Sequence, residues 1–357
     1  MNIIKKRTFT SVSFIFIIVI IVSLLFNEVV LGEGGDVLSS PFTISGYLSL
    51  YYYYSNLTGK ATVFYPEQKS AMVFDVIHLY LDAKRENIGF HVDYAVSDEP
   101  YGGAYGDNWA EEAYIFYKTS IGSTILGLSY VPFGIFWDGT WYGSLMYFKG
   151  FMLDADWGLK FSGGKNNFDF NAAFYTNGDG LNGEALLGSG PEVGTNQEDM
   201  FVGRLVYTQS VSEDINLTIG VSGLRGKVVD DIAGTEVDET DFEADVTFDI
   251  GKFTLAGQYV NYERGDDDSG KGNIFYIMLN ANVIDNPGDK FFNRLSIYYN
   301  YSRDSPNDSS DGLSDLRIAG ANLTLAHDLS VYLEYVRWKV GKILQNNTFY
   351  CVFYIFF

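Results

Sequence analysis

The chain has 357 residues and a formal net charge of −21, and its 38 glycines and many aromatics stand against only 7 prolines, a balance that favours strands over helices. Its mean hydropathy is zero, which excludes a bundle of membrane helices, each needing roughly 20 consecutive apolar residues. The acidity disfavours nucleic-acid binding, the single Cys351 excludes an internal disulfide, and His78, His91 and His327 have no metal-ligand spacing.

Residues 1–32 come first. Lys5, Lys6 and Arg7 precede the only long apolar run, 12–26, and Val30-Leu31-Gly32 ends it with a small residue. This is the pattern of a secretory signal peptide cleaved before Glu33, with an uncleaved anchor helix as the alternative. The remainder, 33–357, reads as one domain.

From residue 42 onward, short segments alternate apolar and polar side chains. They predict strands at 42–54, 70–85, 88–97, 109–119, 124–133, 150–161, 166–176 and 198–209. Further strands follow at 215–224, 240–250, 253–263, 272–284, 290–301, 315–326, 329–339 and 346–357. The connections alternate too. Those after odd strands are mostly long and polar, and those after even strands are short, such as Glu86-Asn87 and Gly251-Lys252.

That parity predicts an all-β fold, a closed antiparallel transmembrane β-barrel of about 16 strands, with short turns on the periplasmic side and long loops outside. The faces agree. In the seventh strand Phe168, Phe170, Ala172 and Phe174 oppose Asn167, Asp169, Asn171 and Tyr175. Sixteen such apolar faces would overfill an interior of that diameter, so they are expected to face lipid. Aromatic strand ends such as 51–54 and 298–301 suit interfacial girdles.

One connection breaks the polar rule. Residues 134–149 carry Phe136, Trp137, Asp138, Trp141 and Tyr142, too apolar for a free outer loop. The expectation is that this third loop folds into the lumen and forms a constriction, with Asp138 beside it; a surface loop packed on its neighbours is the alternative. Period-two counting then assigns a pore lining: His78, Asp82, Lys84, Asp93, Glu112, Lys118, Asp154, Asp156, Lys160 and Asp169. Later strands add Glu243, Asp245, Asp249, Arg294, Arg317 and Glu334. The set is acid-heavy, and rings of acidic side chains favour cations. No catalytic constellation, cofactor or metal site is expected, and Asp266-Asp267-Asp268 reads as a loop tip.

Three stretches carry a family resemblance. They are 42–48 (Phe-Thr-Ile-Ser-Gly-Tyr-Leu), 77–84 (Ile-His-Leu-Tyr-Leu-Asp-Ala-Lys) with 89–94, and 112–117 with 126–134, which ends in Pro132-Phe133-Gly134. They resemble the phosphate-selective (O/P-type) porins of bacterial outer membranes, which place a Pro-Phe-Gly just before the constriction loop. The resemblance implies sixteen strands, a homotrimer in outer-membrane lipid, and a third loop folded inward. The final strand, ending in Phe357, resembles the signal read by the barrel-assembly machinery. The basic pore lining of that family is not visible here. The leading expectation is passive diffusion of small hydrophilic solutes with a weak preference for cations. Uptake of a specific sugar, or of an anion such as phosphate, is the alternative, and a barrel enzyme or an adhesin a more distant one.

Overall fold

The computed structural model describes residues 42–55, 70–97, 108–148, 150–152, 155–177, 195–230, 235–265, 270–286, 293–307, 314–326, 329–340 and 344–357. The expected signal peptide lies outside them, as does 266–268.

Alternation of apolar and polar residues gives strands because successive side chains point to opposite faces of a pleated chain. The first eight are β1 (Phe42–Ser55), β2 (Ser70–Arg85), β3 (Ile88–Ser97), β4 (Asn108–Lys118), β5 (Gly122–Tyr130), β6 (Ala155–Lys165), β7 (Phe168–Asn177) and β8 (Thr195–Ser212). The rest are β9 (Ile215–Asp230), β10 (Thr235–Ile250), β11 (Phe253–Arg264), β12 (Lys271–Asp285), β13 (Arg294–Pro306), β14 (Ser314–Ala326), β15 (Leu329–Val340) and β16 (Leu344–Phe356). Each pairs with its neighbours in sequence, and β16 closes on β1, so the sixteen strands form one closed barrel. All pairs are antiparallel, including the closing one, where Tyr47 lies opposite Phe356. Beyond it Gly46 and Phe357 exchange two backbone hydrogen bonds of 3.0 Å.

The tight turns at Glu86-Asn87 and Gly251-Lys252 hold their expected places, while the turn after β6 falls at Asn166-Asn167, beyond the expected 162–165. Glu86 (φ 53°), Asn166 (φ 56°) and Gly251 (φ 55°) take up the left-handed conformation. Two-residue hairpins need it, because only that turn twist matches the twist of the strands.

The barrel's outer face is apolar, and its inner face carries buried polar and charged side chains. On β10, Phe242, Phe248 and Ile250 are exposed while Glu239, Asp241, Glu243 and Asp245 are buried. On β12, Phe275, Ile277 and Leu279 are exposed and Tyr276 is buried. A band of lipid-facing residues around a polar interior defines a transmembrane barrel of the outer-membrane type.

Several strand boundaries shift by a few residues, and two differences bear on the shape of the wall. β6 begins at Ala155 rather than 150, because Phe151 and Met152 are buried in an apolar cluster instead of extending the strand. The connection from β5 is correspondingly long and carries the one-turn helix α1 (Leu145–Phe148). In the other case, the loop expected at 225–239 is mostly strand. The ladder continues with Val228 opposite Val237, and Lys227 forms an ion pair with Glu236. The wall is therefore uneven in height: β5 has 9 residues and β8 has 18.

Candidate functional site

Residues 131–152 turn inward at Pro132 and cross the barrel. Their apolar side chains pack on the inner wall: Phe133, Leu145, Met146, Phe151 and Met152 join Tyr175, Met200, Leu224, Val260, Ile274, Tyr276, Leu316 and Ile318 in one buried cluster. This is the hydrophobic core of the molecule, and it sits inside the barrel against β7–β15.

Polar side chains on the wall hold the loop at four points, three of them on its backbone. Gly134 N donates to Ser222 Oγ at 3.1 Å. Asn300 Nδ2 donates to Asp138 Oδ2 at 2.6 Å, while Asp138 Oδ1 accepts from the Thr140 amide and hydroxyl at 3.0 and 2.7 Å. Glu334 Oε1 accepts from Trp141 N and from the Tyr298 hydroxyl, each at 2.5 Å, and Oε2 accepts from Tyr142 N at 3.0 Å. Leu145 N donates to Ser302 Oγ at 3.0 Å. At the first anchor Gly134 has φ +66°, and a Cβ there would lie 2.0 Å from Gln258 Nε2. Glycine alone meets both demands without strain.

Asp138 does not occupy the expected place beside an aperture. It is only 4% exposed, sealed in the seam between loop and wall. The reason is its short turn with Thr140, which aims the carboxylate at Asn300. Burial pushes its carboxyl up from the ordinary value, and the donors on Thr140 and Asn300 partly offset this.

The loop's aromatics divide in two. Phe136 is 55% exposed, with its ring edge-on to Tyr130 at 4.9 Å, and Trp137 lies edge-on to Tyr147 at 5.6 Å. Trp141 instead wedges between Tyr51 and Tyr350, 5.0 and 4.9 Å away, and Tyr142 packs on Tyr350 at 5.3 Å. That packing accounts for the apolar inner face of β16.

Wall charges gather in two regions. On β8–β11, Arg204 reaches Glu243 at 3.1 Å and Asp245 at 2.8 Å, and Arg264 reaches Glu239 at 2.8 Å. On β2–β6, His78 Nδ1 pairs with Asp93 at 2.8 Å and His91 Nδ1 with Asp82 at 2.8 Å. His91 Nε2 is 3.7 Å from Glu112. Lys160 Nζ donates to the Tyr130 carbonyl at 2.8 Å. Burial, with the charges of Glu111 and Asp75 as smaller causes, pushes the Tyr147 hydroxyl up from its ordinary value.

Asp156, buried on β6, also shares this inner wall. Lys84, Lys118, Asp169, Asp249 and Arg294 occupy inward positions near the turn end, and Lys118 and Asp169 line one pocket of about 430 Å³ there. Asp154 lies outside the described residues. Arg317 is a correction: it faces outward, its guanidinium 5.5 Å from the Tyr301 ring. Its neighbours Leu316 and Ile318 are fully buried against the loop's apolar cluster, so the alternation sends Arg317 out.

Several inward groups escaped the sequence reading. Arg204 shares the parity of Met200 and Val202, and Glu239 and Asp241 continue that of Glu243 and Asp245; period two would have found them. Glu111 carries no such signal. A bulge places both Glu111 and Glu112 against β3 where it passes from Asp93 to Tyr94, and an extra residue in one strand defeats period-two counting.

Solved structures share this architecture. An anion-selective porin from Comamonas acidovorans superposes with a TM-score of 0.64 at 12% identity, covering 88% of this chain and 99% of that one. The fold is that of outer-membrane porins. OprB from Pseudomonas putida gives 0.65 at 10% identity, over 89% of this chain and 94% of that one. The trimer form of OmpT, an outer membrane protein of Vibrio cholerae, gives 0.60 at 15% identity, over 88% and 99%. No protein-family model matches the sequence, and no curated protein is similar to it.

Proposed function

We propose that the protein is a bacterial outer-membrane porin through which small hydrophilic solutes and ions diffuse passively, with a weak preference for cations. The observation that carries this reading is the third loop, pinned across the lumen by Ser222, Asn300, Ser302 and Glu334. A loop held this way narrows a barrel without closing it, leaving the β2–β6 side for the solute path. Phe136 and Trp137 form its lumen edge, while Asp138, Trp141 and Tyr142 fix its position. Carboxylates outnumber ammonium and guanidinium groups on the wall, and an acid-rich lining favours cations.

The structural likeness to porins and the inward loop support a divergent relative of the O/P type, without that type's basic lining. Residues 1–32 act as the signal peptide, and the last strand supplies the assembly signal. A homotrimer fits the low wall at β3–β7, where strands of 9–11 residues leave a short apolar face.

The test is a reversal potential in planar bilayers under a potassium chloride gradient. A potential of the sign set by potassium is expected, and clear chloride selectivity would overturn the preference. Trp137, edge-on to Tyr147 on the loop's lumen edge, favours a second reading, uptake of a sugar, since pyranose faces pack on aromatic rings. Saturable block of the current by an oligosaccharide would support it.

A further inference from the structure

Five rings form a row along the inner wall from β1 to β4. Tyr47 stacks on His78 at 4.6 Å and 17°. His78 meets Tyr80 at 6.2 Å, Tyr80 stacks on His91 at 6.3 Å and 24°, and His91 meets Tyr114 at 5.2 Å. The tyrosines are half-buried, so part of each ring is open to the lumen. The third loop's own ring contacts with the wall fall elsewhere, on Tyr51, Tyr130 and Tyr350.

Carboxylates edge the row. Asp93 holds His78, and Glu112 lies beside His91. Glu111 accepts from the Tyr130 hydroxyl at 3.3 Å. The bulge that brings Glu111 in beside Glu112 doubles the negative charge at one level of the wall. His78 Nδ1, His91 Nδ1 and Lys160 Nζ are turned onto the wall itself, to Asp93, Asp82 and the Tyr130 carbonyl. A carboxylate only accepts hydrogen bonds and has about four lone-pair sites for them. What the wall chiefly offers a solute is therefore negative charge and ring faces, with tyrosine hydroxyls as the neutral polar groups between them.

A sugar needs donors and acceptors in balance. A solute made of N–H donors and positive charge on an apolar stem needs what this wall has. Ring faces attract cations through their quadrupole, most strongly where water is thinned.

We infer that the ring row from Tyr47 to Tyr114, with Asp93, Glu111 and Glu112, is a binding track for organic cations, namely amines or guanidinium compounds on short apolar stems. This rests on the channel reading above and names its solute class.

Spermidine is the probe, used with the full-length protein. Bilayer recordings would follow block of the potassium current, and calorimetry would measure binding to the detergent-folded barrel. The expected result is saturable block and binding by spermidine, with far weaker effects of magnesium chloride at equal ionic strength and of maltotriose. Tyr80→Leu, and separately Glu111→Gln with Glu112→Gln, should each raise the half-blocking concentration about tenfold. Heat-modifiable migration on gels verifies that each variant is folded. Equal block by magnesium, stronger block by maltotriose, or folded variants that behave as wild type would overturn the inference. A silent bilayer with calorimetric binding intact would sink the channel reading and leave the track standing. A conducting channel with neither block nor binding would do the reverse.

Discussion

Glu334 is the sharpest place to test how the third loop is held. Its side chain is 0% exposed and accepts from Trp141 N, Tyr142 N and the Tyr298 hydroxyl. Glu334→Ala removes all three bonds and leaves two loop amides and a hydroxyl without an acceptor. Hydrogen bonds to charged groups contribute ~1.5–3 kcal/mol each. The desolvation cost of the buried carboxylate disappears with it, which offsets part of the loss, so a net weakening of about 4 kcal/mol is expected for this end of the loop. At ~1.4 kcal/mol per factor of ten, opening at Trp141 and Tyr142 becomes about a thousand times more frequent. The barrel itself should survive, because its ladder does not depend on the loop and three other anchors remain. Hydrogen exchange of the Trp141 and Tyr142 amides reads this directly, and bilayer recordings should show current flicker between conductance levels. Unchanged protection of both amides in a folded variant would refute the reasoning, since it would mean that apolar packing alone seats the loop.

Other outcomes follow from the same geometry. Gly134→Ala should loosen the loop's near end by about 1–3 kcal/mol, measured as faster exchange at residues 133–135; adding Gln258→Ala should relieve the contact but leave the cost of the φ +66° backbone. Arg204→Ala strips Glu243 and Asp245 of their shared cation and should lower stability in urea by about 3–5 kcal/mol while raising cation selectivity. Arg317→Ala, on the outer face, should leave the reversal potential where it was; a shift would mean that the side chain reaches the lumen. Glu86→Gly removes a side chain from a φ of 53° and should stabilise the turn by about 1 kcal/mol, seen as a higher unfolding midpoint.

The strand count, the short and long alternation and the inward loop were legible in the sequence because each rests on a local rule. Period two sorted Phe168, Phe170 and Phe174 from Asp169 and Asn171 without any knowledge of their neighbours, and the aromatic content of 134–149 gave the loop away. What stayed hidden depends on partners far along the chain. Nothing near Asp138 announces Asn300, 162 residues on, so an acid expected at the aperture proved to be a seam. Arg317 was misassigned because the inner face of β14 is apolar where the loop packs on it, which inverts the usual rule for a lumen. Glu111 needed a bulge that leaves no mark in the residue pattern.

The seating of the loop also sets an order of assembly. Residues 131–152 are made early, yet their seats, Asn300, Ser302 and Glu334, lie in the last fifth of the chain. Until those strands arrive, Phe133, Met146 and Phe151 have only part of the inner wall to cover them, and the seam between Gly46 and Phe357 is open. Before the barrel closes, the chain therefore exposes an apolar segment at 131–152 that its finished wall would cover. A partly inserted barrel would gape widest at the moment its third loop is least anchored. A helper that shields that segment until β15 docks would spare the cell a leak, and its absence should show first as permeability rather than as lost protein.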